Sequence, residues 1–97
     1  MKRDNVLEIL RQHRSELSKR FHVRSLGLFG SVARGEAGDT SDVDLLVEFS
    51  EPPGFDGYMN LKFRLEELLE ARVDLVMQKA LKPEARNAVE KEIIRVA

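Results

Sequence analysis

Three acidic residues lie near the beginnings of apolar segments, where their carboxylates could bind a metal. Asp42 and Asp44 form an Asp-x-Asp pair that begins a segment ending at Phe49, and Asp74 lies near the start of the segment 72–77. If the fold brings them together, the carboxylates repel one another and lose solvation unless a cation offsets their charge. The chain has no cysteine, and no histidine lies near these acids, so oxygen ligation by Mg²⁺ is favoured. Because Mg²⁺ completes its shell with water and substrate phosphates, the pattern predicts phosphate chemistry.

A glycine-serine pair supplies a second, independent argument for phosphate. Gly30 allows a close approach of the backbone to a ligand, and Ser31 begins a short helical segment whose unpaired N–H groups can bind an anion. Arg34 stands where a capping box would have Glu or Gln, in a first turn where the helix dipole disfavours a cation. An anion beside Arg34 would offset this cost. We therefore predict that a nucleotide triphosphate binds at Gly30, Ser31 and Arg34, next to the metal-binding acids.

The sheet that positions these residues is predicted from three short apolar segments. They are Val23–Phe29, Asp42–Phe49 and Arg72–Met77. A helix-length segment separates the second from the third, so these two strands should be parallel neighbours with their N-terminal ends together. All three acids then fall at one edge of the sheet. The link between the first two strands is too short for a comfortable crossover, so an antiparallel pair is expected, which returns the glycine-serine pair to the same edge.

Helices are predicted on both sides of each of these strands. Apolar residues recur at helical spacing over 4–20 and 58–71, a short helical turn fits 31–36, and Pro83 begins a last amphipathic helix that runs to the end. The expected element order is α-β-α-β-α-β-α. The sequence thus predicts an α/β fold, a small mixed β-sheet packed by helices, in a single domain over residues 1–97.

Composition limits the classes of partner. Sixteen Lys and Arg against seventeen Asp and Glu give a net charge of -1, so there is no strong signal for a nucleic-acid partner. No apolar run approaches the length of a signal segment or a membrane span, and we expect no membrane partner. The absence of cysteine is compatible with a reducing compartment, so a cytoplasmic location is expected. A chain of 97 residues has little room for a second domain, so a large acceptor must come from outside.

These segments resemble a known family. The stretch 30–49 reads GSVARGEAGDTSDVDLLVEF and the stretch 72–76 reads RVDLV. Together they resemble the signature of the DNA polymerase beta-like nucleotidyltransferase superfamily, and in particular its minimal nucleotidyltransferases. The chain is similar over essentially its whole length to the MNT-type antitoxins that are encoded beside HEPN ribonuclease toxins. The resemblance implies the nucleotidyltransferase fold, with ATP as substrate and magnesium, two ions, as cofactor.

The resemblance also implies a role for each matching residue. Gly30 and Ser31 would bind the nucleotide triphosphate, and Asp42 and Asp44 would bind both metal ions. Asp74 would be the third carboxylate at the metal site and would activate the acceptor hydroxyl. Antitoxins of this kind adenylylate a tyrosine of their cognate toxin and so neutralise it. The expected function is therefore AMP transfer from ATP to a tyrosine of a HEPN-type toxin.

Other interpretations of the same residues stay open at the level of sequence. The Asp-x-Asp pair alone could be solvated acids at a strand entrance, Ser31 an ordinary N-cap, and Asp74 the partner of Arg24 or Arg72 in a salt bridge. The whole chain could also be a non-catalytic antitoxin or adaptor that binds nucleotide and neutralises its partner by complex formation. A third possibility is a nucleotidyltransferase acting on a small-molecule hydroxyl.

Overall fold

The computed structural model describes residues 2–36, 38 and 42–96. Its strands are β1 Val23–Phe29, β2 Val43–Phe49, β3 Val73–Met77 and β4 Ile94–Arg95. Its helices are α1 Arg3–Gln12, α2 Arg14–Phe21, α3 Gly30–Arg34, α4 Gly54–Leu69 and α5 Pro83–Glu92, and a 3-10 turn follows β3 at Gln78–Ala80. The strands form a four-stranded sheet in the order β3-β2-β1-β4. The predicted fold class, a small mixed β-sheet packed by helices, is confirmed.

Both predicted strand pairings are present in the sheet. β1 runs antiparallel to β2, with Phe29 opposite Asp44. β2 runs parallel to β3, with Asp44 opposite Asp74, and α4 makes the crossover between them. The parallel pair follows from the long connection, because only a crossover of helix length returns the chain to the same edge of the sheet. The C-terminal end of β1 and the N-terminal ends of β2 and β3 therefore meet at one edge.

The first predicted helix is divided in two at a histidine. We predicted one helix over 4–20, whereas α1 and α2 are separated at His13. The Nδ1 atom of His13 lies 2.8 Å from the carbonyl oxygen of Ile9, which the His13 N–H would bind in an unbroken helix. That N–H donates instead to the carbonyl of Leu10 at 3.2 Å. The histidine side chain thus competes with its own backbone for one acceptor, and the helix is interrupted there.

The C-terminal segment ends in a strand, and the prediction of a helix to the end of the chain was wrong. α5 ends at Glu92, and β4 pairs antiparallel with β1, with Gly27 opposite Arg95. Gly27 permits this arrangement, because a Cβ atom there would collide with the side chain of Ile93. Ile93 and Ile94 are β-branched and favour extended backbone. The adjacent Ile93 and Ile94 fit the apolar spacing of a helix and also that of a strand. The pairing of this segment with β1 favours the strand.

The core lies between the sheet and the helices α1, α2 and α4. Leu61, Leu65 and Leu69 of α4 are buried as predicted, although the helix begins at Gly54 rather than near Tyr58. No helix among the described residues is both long and apolar enough to cross a membrane. The side chains that are almost completely buried are Val6, Leu10, Leu17, Leu26, Leu28, Val32, Val43, Leu45, Val47, Leu61 and Leu65.

Replacing Leu65 by Ala should lower the free energy of unfolding by about 2–5 kcal/mol, because Leu65 is fully buried and the change leaves a cavity. Phe63 lies in the same helix but is 57% exposed, so Phe63→Ala is the matched control and should change stability by less than about 0.5 kcal/mol. Urea unfolding of both variants measures the difference. Equal losses would contradict the assignment of the buried face of α4.

Candidate active site

The three predicted acids are brought to the same edge of the sheet. Asp44 and Asp74 are direct partners in the parallel ladder between β2 and β3. Asp42 comes immediately before β2, which begins at Val43, so it lies at the entrance of the strand rather than inside it. Asp42 and Asp74 are exposed, and Asp44 is half-buried between them and β1. Strand register therefore determines the separation of the central pair.

The surroundings of Asp44 disfavour the charged form of its carboxyl group. Burial raises the pKa of its carboxyl above the ordinary value, and the negative charges of Asp74 and Asp42 raise it further. A hydrogen bond with the Asp74 side chain acts in the same direction, while the charge of Arg34 opposes it. Burial and the interactions with Asp74 and Asp42 disfavour the ionised form, and a bound cation would reverse the balance. The site therefore has the electrostatic character of an incomplete cation site.

Gly30 lies against Asp44 in a conformation that other residues rarely adopt. Its φ is +76°, in the left-handed region, and a Cβ atom there would overlap the Asp44 carboxylate. We predicted that Gly30 allows the backbone to approach a ligand. The close approach that the structure contains is to the side chain of Asp44. A glycine is therefore required at this position for both its backbone and its lack of a side chain.

The short helix α3 connects this glycine to two further charged groups. It begins at Gly30, with no side-chain cap, and Ser31 is half-buried in its first turn. Arg34 donates through Nε to Glu36 at 2.9 Å and through Nη1 to Glu92 at 3.0 Å. These carboxylates raise the pKa of the Arg34 guanidinium. The expected anion beside Arg34 is therefore present as carboxylates of the chain itself.

Glu92 is a site residue that sequence reasoning missed. One of its carboxylate oxygens accepts the backbone N–H of Gly30 at 3.0 Å, and the other accepts from Arg34. The interaction with Arg34, followed by that with the Gly30 amide, lowers the pKa of the Glu92 carboxyl. In the sequence Glu92 is one of several charged residues with helical spacing in the last helix, where a solvated face is the ordinary interpretation. No local signal distinguishes it from its neighbours.

The donor set suits Mg²⁺ better than a metal held by protein alone. Within residues 2–36, 38 and 42–96, no three acidic or histidine side chains already form a complete metal cluster. A hard cation that binds one or two carboxylates and completes its shell with water and phosphate oxygens needs no such cluster. The half-buried Asp44, disfavoured in its ionised form, is a suitable first ligand, with Asp42 beside it. The assignment of Asp74 as a further ligand stays a prediction.

One structural alternative for the acids can be compared with the observed contacts. Arg24, which was considered as a salt-bridge partner of Asp74, instead lies 4.0 Å from Glu48. His22, at the other end of β1, pairs with Glu51 at 2.9 Å. Asp74 instead lies opposite Asp44 in the ladder between β2 and β3. These contacts favour a shared acidic site over a structural ion pair.

A family model for the nucleotidyltransferase domain matches residues 10–96, which include the whole sheet edge. The chain belongs to this nucleotidyltransferase family. As a member it is a nucleotidyltransferase enzyme, and the paired Asp44 and Asp74 and the contact of Gly30 with Asp44 lie within the matched segment. The family assignment agrees with the resemblance inferred from the sequence motifs.

Relatives and solved structures with the same fold agree with this assignment. The chain is 45% identical over 93 residues to the protein adenylyltransferase MntA of Thermococcus cleftensis, covering 96% of this chain and 94% of that protein. A solved structure proposed to be a minimal nucleotidyltransferase is 40% identical, with a TM-score of 0.81 and coverage of 97% and 95%. A Shewanella oneidensis complex of a tri-AMPylated HEPN toxin with its MNT antitoxin matches at 17% identity and a TM-score of 0.67, covering 94% of this chain and 71% of that chain. The last likeness concerns the fold alone.

Replacing Asp44 by Asn should raise the free energy of unfolding at about pH 7 when no divalent cation is present. The native state binds the Asp44 proton more tightly than the unfolded chain does. In the unfolded chain the pKa of this carboxyl has its ordinary value, near 3.8. Native stability therefore falls as pH rises from that value through the raised pKa, and Asn avoids this loss. Below about pH 3 the acid is protonated in both states and the difference should shrink.

Urea unfolding of the wild type and the Asp44→Asn variant at both pH values measures this effect. The acidic measurement is the internal control, because the two proteins then carry the same charge at this position. A variant that is less stable than the wild type at neutral pH would show that the Asp44 carboxylate stabilises the metal-free fold.

Proposed function

We propose that this protein is a magnesium-dependent adenylyltransferase that moves AMP from ATP to a tyrosine hydroxyl of a cognate HEPN-type toxin and thereby neutralises it. The observation that carries the proposal is the ladder pairing of Asp44 with Asp74, beside the glycine that contacts Asp44. Nucleotide transfer requires carboxylates that can bind a metal and, beside them, groups that donate hydrogen bonds to phosphate. The paired acids and the neighbouring helix α3 supply both. We place this activity in the cytoplasm.

The nucleotide would lie along the sheet edge. Gly30 and Ser31 bind its triphosphate through the backbone at the start of α3, and Arg34 offers a guanidinium to the same anion. Asp42 and Asp44 would hold two Mg²⁺ ions, which when bound supply positive charge against the phosphate oxygens.

The transfer step exchanges one phosphorus–oxygen bond for another. The acceptor oxygen forms a bond to the α-phosphorus, and the bond from that phosphorus to the bridging oxygen of the pyrophosphate breaks. Pyrophosphate leaves with the electron pair of the broken bond. The proton of the acceptor hydroxyl passes to the Asp74 carboxylate, which is exposed at the edge and lies opposite Asp44. The chain's own residues thus bind, orient and deprotonate the reactants.

The exposure of the site supports a protein as the acceptor. Asp42 and Asp74 are both exposed, so a side chain on the surface of another protein can reach them. The relative from Thermococcus cleftensis carries the name protein adenylyltransferase. The structurally similar Shewanella oneidensis complex contains a HEPN toxin that bears three AMP groups together with its MNT antitoxin. These names support a toxin protein as the acceptor for this chain, and the tyrosine is part of the proposal.

Asp42→Asn and Asp44→Asn should each reduce AMP transfer by at least about 100-fold, because each removes a charge that the magnesium site requires. The assay incubates the wild type or a variant with ATP, Mg²⁺ and the HEPN-type protein encoded beside it, and intact mass spectrometry counts the AMP groups added. Asp56→Asn is the matched control, since it makes the same chemical change at an exposed acid in α4.

Three outcomes, from this assay and from co-expression with the toxin, would contradict the proposal in different ways. Retained transfer by a protein that carries both Asn substitutions would contradict the assignment of Asp42 and Asp44 as metal ligands. Normal neutralisation of a co-expressed toxin by the inactive Asp44→Asn protein would show that complex formation is sufficient. No mass gain on any protein, with nucleotide still bound, would direct the search to a different acceptor.

Gly30→Ala should abolish transfer, while Gly35→Ala should retain most of it. Both glycines have a positive φ, +76° and +74°, so both substitutions add a similar backbone strain of about 1 kcal/mol. Only at Gly30 would the new Cβ atom displace the Asp44 carboxylate, because no atom of the described residues lies within 4 Å of the corresponding position at Gly35. The same mass assay, with thermal unfolding of both variants, separates strain from site damage. Equal losses of activity would contradict the role given to the Gly30–Asp44 contact.

A further inference from the structure

The carboxylate of Glu92 is bound by two donors that come from the phosphate side of the site. The backbone N–H of Gly30 donates to Oε1 at 3.0 Å, and Nη1 of Arg34 donates to Oε2 at 3.0 Å. Glu92 is the last residue of α5, far along the chain from both donors. Both of its oxygens are therefore engaged by α3, one by its first residue and the other by its last.

These two donors are of the kinds that bind a phosphate. A backbone N–H at the start of a helical turn and an arginine guanidinium both favour anions, and a carboxylate and a phosphate compete for them with similar geometry. Gly30 and Arg34 are also the residues to which the proposed function assigns the triphosphate. The Glu92 carboxylate therefore occupies the position that an anionic ligand of these two donors would take.

We propose that Glu92 determines the affinity for ATP, because its carboxylate stands in for a phosphate group and must be displaced when the triphosphate binds. This inference rests on the proposed nucleotide site. Glu92 is then a positioning residue that acts through Gly30 and Arg34. In the free protein it satisfies both donors and keeps α3 in place. During nucleotide binding it competes for the same donors.

The contact between Arg34 and Glu92 is exposed to solvent, so a phosphate group can reach it and replace the carboxylate. The side chains of Arg34 and Glu92 are 45% and 27% exposed, so rotation of the glutamate releases both donors without exposing the core. The apparent dissociation constant is the intrinsic constant divided by the fraction of molecules in which the donors are free. A well-populated Glu92 contact therefore weakens ATP binding, and a displaced carboxylate near the triphosphate adds repulsion between like charges.

A purely structural role for Glu92 makes the opposite prediction. If the residue only anchors α5 to α3, its loss disorders the start of α3 and weakens nucleotide binding. If it competes with the triphosphate, its loss strengthens nucleotide binding even where the fold becomes slightly less stable. The sign of the change in ATP affinity therefore separates the two roles.

Isothermal titration of ATP with Mg²⁺ into the wild type, Glu92→Gln and Glu90→Gln tests the inference. Glu90→Gln is the matched control, since it removes the same charge from an exposed residue of the same helix. We expect Glu92→Gln to bind ATP about three- to tenfold more tightly than the wild type, and Glu90→Gln to bind it as the wild type does. Glu92→Ala, which removes the competing group entirely, should bind at least as tightly as Glu92→Gln.

The remaining measurements distinguish this inference from the function on which it rests. In the transfer assay, Glu92→Gln should lower the KM for ATP with little change in kcat, and inorganic triphosphate should bind more tightly as well. ATP binding that is unchanged or weaker in a folded Glu92→Gln protein overturns the inference and leaves the proposed function standing. If none of the proteins binds ATP, the proposed function fails, and the role of Glu92 fails with it.

Discussion

The register of the parallel pair β2–β3 is the constraint on which the rest of the site depends. It places Asp44 directly opposite Asp74, and a shift by one residue would turn these side chains to opposite faces. The pairing costs free energy in the absence of a cation, because burial and neighbouring negative charge both raise the pKa of Asp44. The apolar residues that alternate with the acids in β2 and β3 are buried in the core and keep this register in place. Packing of the core thus maintains an electrostatic arrangement that the acids alone would not adopt.

The opposite side of the site is arranged in a complementary way. β1 delivers Gly30 to the same edge, where its lack of a side chain lets it lie against Asp44. The backbone N–H of Gly30 and the Nη1 group of Arg34 both donate to Glu92, which lies near the other end of the chain. An acidic cluster that favours a cation therefore lies next to donors that favour an anion. A nucleotide triphosphate with its metal is a ligand that satisfies both.

Local patterns in the sequence were sufficient to predict most of this arrangement. Short apolar segments of the sequence predict the strands β1, β2 and β3. The lengths of the connections predict the relative directions of these strands and the edge of the sheet at which Asp42, Asp44 and Asp74 meet. The division of the first helix was missed because it depends on a single contact between the His13 ring and a backbone carbonyl. The last strand was missed because adjacent isoleucines fit a helix and a strand equally well. Space for this strand beside β1 depends on Gly27, which is far away in the sequence and has no side chain to collide with Ile93. Glu92 was missed because its role depends on a contact with Gly30 that no local pattern encodes.

The central claim, that the acids at the sheet edge form a metal–nucleotide site, can be tested by paramagnetic broadening. A trace of Mn²⁺ added to the ¹⁵N-labelled protein with a non-hydrolysable ATP analogue broadens the amide signals nearest to the bound ion. We expect the amide signals of four residues to broaden first: Gly30, Asp42, Asp44 and Asp74. This broadening should be strongest when the nucleotide analogue is present. Broadening centred on the acidic residues Glu16 and Glu67, which pair with Arg64 elsewhere in the fold, would contradict it.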